Sequence, residues 1–295
     1  MNRGVIVAAI VLSVTAAADP GDPVVRRGYV DGRFGQVHYH SARPSIVSES
    51  RTPLVLFHQN PKSAEDFEPL TRKMGRDRLT LAFDTPGYGE SDRPPHPPIM
   101  SDLAGAMADA LDGLGFGSQG KGKVDLFGFH TGVLIATELA LTRPDLVRRV
   151  VLASVPYMSP EEIARRSADM RRDFKLPEDG SHIMNRWRVV VQNRAPGVSI
   201  ERAARSFLED VRSLDKFWYA SNAMWAFPTA EKLKTLHQPV LLLAAHEALL
   251  ENTRAAHRDL LPSADMVELP TVKDDVFDTG SAEFAAALRS WLDRP

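Results

Sequence analysis

The chain contains no cysteine. That excludes disulfides, thiolate nucleophiles, Cys-ligated metals and lipid attachment at cysteine, and it leaves the redox compartment open. Charge of one sign is also scarce: 36 Lys and Arg stand against 38 Asp and Glu, a formal net charge of -2. With no basic run either, neither nucleic acid nor an anionic membrane surface is expected as a partner. The N-terminal apolar run, Val5 to Val14, falls short of the roughly 20 residues that span a bilayer, so stable membrane insertion is not expected. Asn2-Arg3 precedes that run and Thr15-Ala16-Ala17-Ala18-Asp19 follows it, the form of a short secretory signal with small residues at the cut. Residues 1–18 are therefore read as a cleaved signal and the mature protein as exported, periplasmic or extracellular. Were the run a buried or disordered tail instead, the protein would be cytoplasmic.

What is present fits one large α/β unit. The 295 residues are 43% hydrophobic and 25% charged, enough for a single core with an inserted lid. Val25–Val30 and Gly35–His40 read as two strands joined at Asp31-Gly32, with His38 and His40 on one solvated face and no third metal ligand beside them. Leu54–Phe57, Leu79–Phe83, Val124–Phe127, Val150–Ala153, Pro239–Leu243 and Ala264–Leu269 read as further strands, several wholly apolar as in a parallel sheet covered on both sides. Helical patterns alternate with them, one capped by Ser101 and carrying Leu103, Met107, Ala110 and Leu114 inward, another running from Ser281 to Leu292. The pattern predicts a mostly parallel, twisted sheet with helices on both faces. From Met158 to Leu236 the alternation stops in favour of helical sequence rich in Arg and aromatics, where Trp218 and Trp225 are candidates to line a substrate pocket.

Val124 to Ala140 organises the rest. A strand-type run gives way to Gly128-Phe129-His130-Thr131-Gly132, then to Leu134, Ile135, Glu138 and Leu139 at helical spacing. Two glycines leave room around a sharp strand-to-helix corner whose central side chain, His130, projects outward. The pentapeptide resembles the G-x-S-x-G nucleophile elbow of the α/β-hydrolase superfamily, with histidine in the nucleophile position. His58-Gln59-Asn60-Pro61 resembles that family's H-G-x-P oxyanion loop, and Asp84-Thr85-Pro86-Gly87-Tyr88-Gly89-Glu90-Ser91 its structural D-x-x-G-x-G-x-S loop.

The resemblance implies the α/β-hydrolase fold over nearly the whole mature chain: core over 19–157, a helical cap over 158–236 inserted before the penultimate strand, and core again over 237–295. It also implies a degenerate triad, since the acid position falls on Ala248 and the histidine position on Asp274, with Asp275 one place on. His130 and Asp274 or Asp275 would then form a pair with reversed roles, the carboxylate fixing the tautomer of an imidazole that acts as general base with an apparent pKa of about 6 to 8. Gln59, Asn60 and Thr131 would bind the oxyanion or substrate, with His58 and His246 as further site groups. The expected activity is cofactor-independent and metal-free hydrolysis of a small ester, lactone or related carbonyl compound. A lyase or isomerase working by proton abstraction on the same pair, and a non-catalytic protein that binds a small ligand, are the alternatives. Oligomeric state is not legible.

Overall fold

The computed structural model describes residues 23–44, 51–117, 119–168, 176–213 and 216–295. The N-terminal segment read as a signal lies outside them. Eight strands form one sheet in the order β1 (Arg26–Gly32), β2 (Gly35–Ala42), β4 (Thr80–Phe83), β3 (Leu54–Phe57), β5 (Val124–Phe129), β6 (Val147–Ala153), β7 (Val240–Ala245) and β8 (Asp265–Leu269). β1, β2 and β4 pair antiparallel, and every pairing from β4 through β3 to β8 is parallel.

The parallel half follows from its composition. β3 and β5 are buried at every residue, and β7, Val-Leu-Leu-Leu-Ala-Ala, is too. A strand apolar on both faces needs cover on both faces. Side-chain alternation delivers it: Val55, Phe57, Leu126, Leu152 and Leu242 join α2 (Met100–Gly113), α3 (Thr131–Thr142) and α9 (Leu250–Leu260) on one side. Leu54, Leu56, Phe127, Val151 and Leu241 meet α1 (Glu68–Met74) and α10 (Val276–Leu292) on the other. Between β6 and β7 the described chain forms α4 (Pro160–Ala168), α5 (Ser181–Trp187), a π-helical turn over Arg188–Gln192, α6 (Ile200–Arg212), α7 (Tyr219–Ala226) and α8 (Thr229–Lys234).

Several local expectations are corrected. Asp31 and Gly32 belong to β1, where Asp31 pairs with Gln36, and the turn falls on Arg33-Phe34. His38 and His40 do not face solvent; they are 3% and 4% exposed under the edge of the sheet. α2 begins at Met100, and its first turn is closed by the Asp102 carboxylate accepting the Ile99 N–H at 3.0 Å, so Ser101 is no cap. α10 starts at Val276, five residues before Ser281, because Gly280 lets this helix cross Val272, whose methyls would lie 2.5 Å from a Cβ there.

Candidate active site

β5 ends at Phe129 and α3 begins at Thr131, which leaves His130 alone at the corner with φ 51° and ψ -115°. Positive φ is uncommon outside glycine, though histidine tolerates it better than most types. The corner is fixed from both sides. The His130 N–H donates to the Ala153 carbonyl of β6 at 3.1 Å. A Cβ on Gly128 would lie 2.4 Å from the Gly132 oxygen, and one on Gly132 would lie 1.9 Å from the Phe57 oxygen of β3. The two glycines therefore serve close approach.

The His130 ring is packed against protein over most of its surface and makes one polar contact, Nδ1 to the Thr131 hydroxyl at 3.1 Å. Desolvation, with a smaller contribution from the Arg166 guanidinium, pushes its pKa down to about 4. At neutral pH the imidazole is uncharged. Arg166, on α4, lies 5.9 Å over the Trp225 ring. Thr131 and Gly132 open α3, so their N–H groups have no intrahelical acceptor and face the positive end of the helix dipole. The Asn60 N–H points at the Thr131 hydroxyl from 3.5 Å, while its side-chain amide donates to Ser221 of α7 at 2.6 Å. The oxyanion-loop resemblance and the elbow are thus neighbours in space.

The reversed pair expected from the sequence is not formed. Neither Asp274 nor Asp275 hydrogen-bonds to His130: the Asp275 carboxylate accepts the Ala195 N–H from the insertion at 2.7 Å, and the Asp274 carbonyl accepts from Thr279. Asp275 is itself held at φ 48° ahead of α10, which turns its side chain to that backbone partner.

Other expected residues take structural places. Both nitrogens of His58 are engaged, Nδ1 with the Gln59 carbonyl at 2.8 Å and Nε2 with the Thr85 N–H at 2.9 Å, so it cannot bind substrate. Burial lowers its pKa, and it stays neutral. The Gln59 amide reaches Asp66 at 3.3 Å. His246 turns away to Glu268, 3.3 Å off near the surface. Trp218 is buried and packs edge-on against Tyr219. Asp84 ties its loop as the motif implies, accepting from His38 Nδ1 at 2.8 Å, Ala64 N at 2.6 Å and Glu90 N at 2.8 Å.

Tyr88 was not singled out by the sequence. Its hydroxyl donates to the Phe217 carbonyl at 2.8 Å and accepts the Ala220 N–H at 2.9 Å, holding α7 over the elbow. Met224 of α7 thereby comes within 3.9 Å of the Thr131 hydroxyl. A cleft of about 580 Å³ opens between α4, α8 and α9 and another of about 480 Å³ beside Tyr39 and Phe116; His130 lines neither. Among the described residues no three His, Asp or Glu side chains gather as a metal site, and no helix is long and apolar enough to cross a membrane.

A chain with this elbow at the end of a central parallel strand has the architecture of an α/β hydrolase. Residues 52–245 match the alpha/beta hydrolase fold family, and the chain belongs to it. It is 31% identical over 137 residues to a 2-(acetamidomethylene)succinate hydrolase of Mesorhizobium japonicum, covering 46% of this chain and 48% of that protein. It is 26% identical over 264 residues to the polyketide synthase ThaQ of Burkholderia thailandensis, covering 85% of this chain and 12% of that protein. The chain thus spans about half or less of these relatives. Among solved structures, the enol-lactonase of Burkholderia xenovorans LB400 superposes with a TM-score of 0.70 at 20% identity, covering 90% of this chain and all of that one (100%).

Proposed function

We propose that the protein is a cofactor-independent hydrolase of a small, activated ester or lactone, with His130 in place of the usual nucleophile and acting as general base. The observation that carries this reading is an uncharged imidazole at a strained corner beside the open N–H groups of a helix N-terminus. With Nδ1–H donating to Thr131, Nε2 holds the lone pair. It takes a proton from water as the water oxygen bonds to the substrate carbonyl carbon. The negative charge that develops on the carbonyl oxygen is met by the Thr131 N–H at the start of α3.

The triad is degenerate in this reading, and the sequence expectation of Asp274 or Asp275 as the orienting partner gives way to Thr131. A base whose conjugate acid has a pKa near 4 is weak, which favours activated acyl groups such as aryl or enol esters. The same weakness counts against proton abstraction from carbon, and so against a lyase or isomerase. The similarity to a succinate-derivative hydrolase supports hydrolysis as the reaction class.

The second reading, a non-catalytic binding protein, draws on the lack of any carboxylate at His130. His130→Asn separates the two, since Asn also tolerates positive φ. For a general base, kcat/KM on p-nitrophenyl acetate falls by about 10² or more while the circular dichroism spectrum is kept. An undiminished rate in the variant rejects the base, and a parent protein with no turnover above the uncatalysed rate favours binding.

A further inference from the structure

The antiparallel edge of the sheet carries a cleft separate from the elbow. Strand register sets its floor: Ser41 of β2 lies between Arg26 of β1 and Leu81 of β4, and Tyr39, on the same face of β2, lies between Gly28 and Phe83. A Cβ on Gly28 would lie 2.5 Å from the Tyr39 hydroxyl, so glycine there lets the ring lie across β1. Leu79, just before β4, and Leu114 and Phe116, just after α2, supply the apolar side and are continuous with the core beneath. The cleft holds about 480 Å³, inside the roughly 300–1,000 Å³ of small-molecule sites. Ala42 pairs with Thr80, the first residue of β4, whereas His130 follows the last residue of β5. Cleft and elbow therefore sit at opposite ends of the strands.

The charges at the cleft are of one sign. Arg26, Arg43 and Lys121 line it, and no Asp or Glu does. Among the described residues neither the Arg26 nor the Arg43 guanidinium has a hydrogen-bond or ion-pair partner. Elsewhere Arg33, Arg143 and Arg254 each clasp a carboxylate with two nitrogens. Lys121 is held in place, donating to the Leu114 carbonyl at 2.6 Å and standing 5.6 Å over the Phe116 ring, and its ammonium keeps further donors for a ligand. Val24, 71% exposed, adds an apolar lip. Unpaired guanidiniums beside an apolar floor match an anionic head on an apolar body: a planar guanidinium presents paired donors to a carboxylate, and the floor takes hydrocarbon out of water.

We propose that this cleft binds a medium-chain carboxylate, its hydrocarbon against Leu79, Leu81, Leu114 and Phe116 and its oxygens on Arg26, Arg43 and Lys121. Binding here requires no turnover at His130, so it stands apart from the hydrolase reading.

The test titrates the protein with sodium octanoate, followed by calorimetry and 13C-methyl NMR. Octanoate moves the Leu79, Leu81 and Leu114 methyl resonances saturably. It binds at least about tenfold more tightly than acetate, which lacks the hydrocarbon, or 1-octanol, which lacks the charge. Arg26→Gln combined with Arg43→Gln, both at exposed positions, weakens octanoate about tenfold while the circular dichroism spectrum is kept. Added NaCl weakens octanoate in the parent as well. No saturable shift in these methyls, or binding that the double variant leaves unchanged, overturns the proposal. Acetate as tight as octanoate would show an anion site with no place for hydrocarbon, and 1-octanol as tight would remove any part for the guanidiniums; either result overturns it too.

Discussion

His130 is kept neutral by its surroundings, and that has a consequence for rate. An imidazole with its pKa pushed down to about 4 is already in its basic form throughout the neutral range. Activity on p-nitrophenyl acetate is therefore flat from pH 8 to about 5 and declines only as pH approaches 4. A pH series of kcat/KM checks this, and an acid limb centred between 6 and 7 would show a solvated or carboxylate-paired ring instead. The sequence made the identity and corner position of His130 readable, because two flanking glycines and a change of period bracket it. It could not show the protonation state, since the burial that sets it is a product of the fold and one contributor, Arg166, lies 36 residues further on. The hydrogen bond from Ser154 to Glu247 was hidden for a related reason: the two residues lie 93 positions apart and are brought together only by the order of strands.

At the scale of elements, α3 sits tightly against β3. Replacing a helix glycine by alanine ordinarily stabilises by about 1 kcal/mol. At Gly132 the sign reverses, because the added Cβ would lie 1.9 Å from the Phe57 carbonyl and neither backbone can yield cheaply. Gly132→Ala should cost roughly 3 kcal/mol or more, read as a lower urea midpoint, with the exposed-site control Ser101→Ala on α2 changing it little. Apolar runs made the strands readable to within a few residues: Leu54–Phe57 is β3 to the residue, and Val150–Ala153 is the buried end of β6. Ends set by a side chain reaching back were not readable. Asp102 rather than Ser101 closes α2, and α10 begins at Val276 rather than at Ser281.

The whole molecule is joined across the elbow by contacts that no motif announces. Lys62 pairs with the buried Asp210 at 2.9 Å, Arg202 with Asp278 at 2.7 Å, and Tyr88 holds α7. The order of strands, elbow and insertion was legible because the central strands carry their own apolar signatures; these cross-links were not, because their partners lie in segments far apart. Burial of histidines in this assembly makes stability depend on pH. His40, on β2, has its pKa lowered by desolvation first, opposed by Asp84 and reinforced by His38 and Arg27, and its buried Nδ1 has no hydrogen-bond partner. A histidine in the unfolded chain binds its proton near pH 6.5, so below that the unfolded state takes up more protons than the folded one and stability falls as pH falls. The contribution is at most about 1.4 kcal/mol per pH unit for one group. Above pH 7 both states leave His40 neutral, and the dependence vanishes. His40→Leu, of similar size, removes both this proton linkage and the unpaired Nδ1. Urea unfolding of parent and variant at pH 8 and pH 5 should therefore show a stability difference that moves in favour of the leucine variant on acidification, within the bound of about 1.4 kcal/mol per pH unit. A difference that stays constant between the two pH values would mean that His40 titrates alike in the folded and unfolded chains.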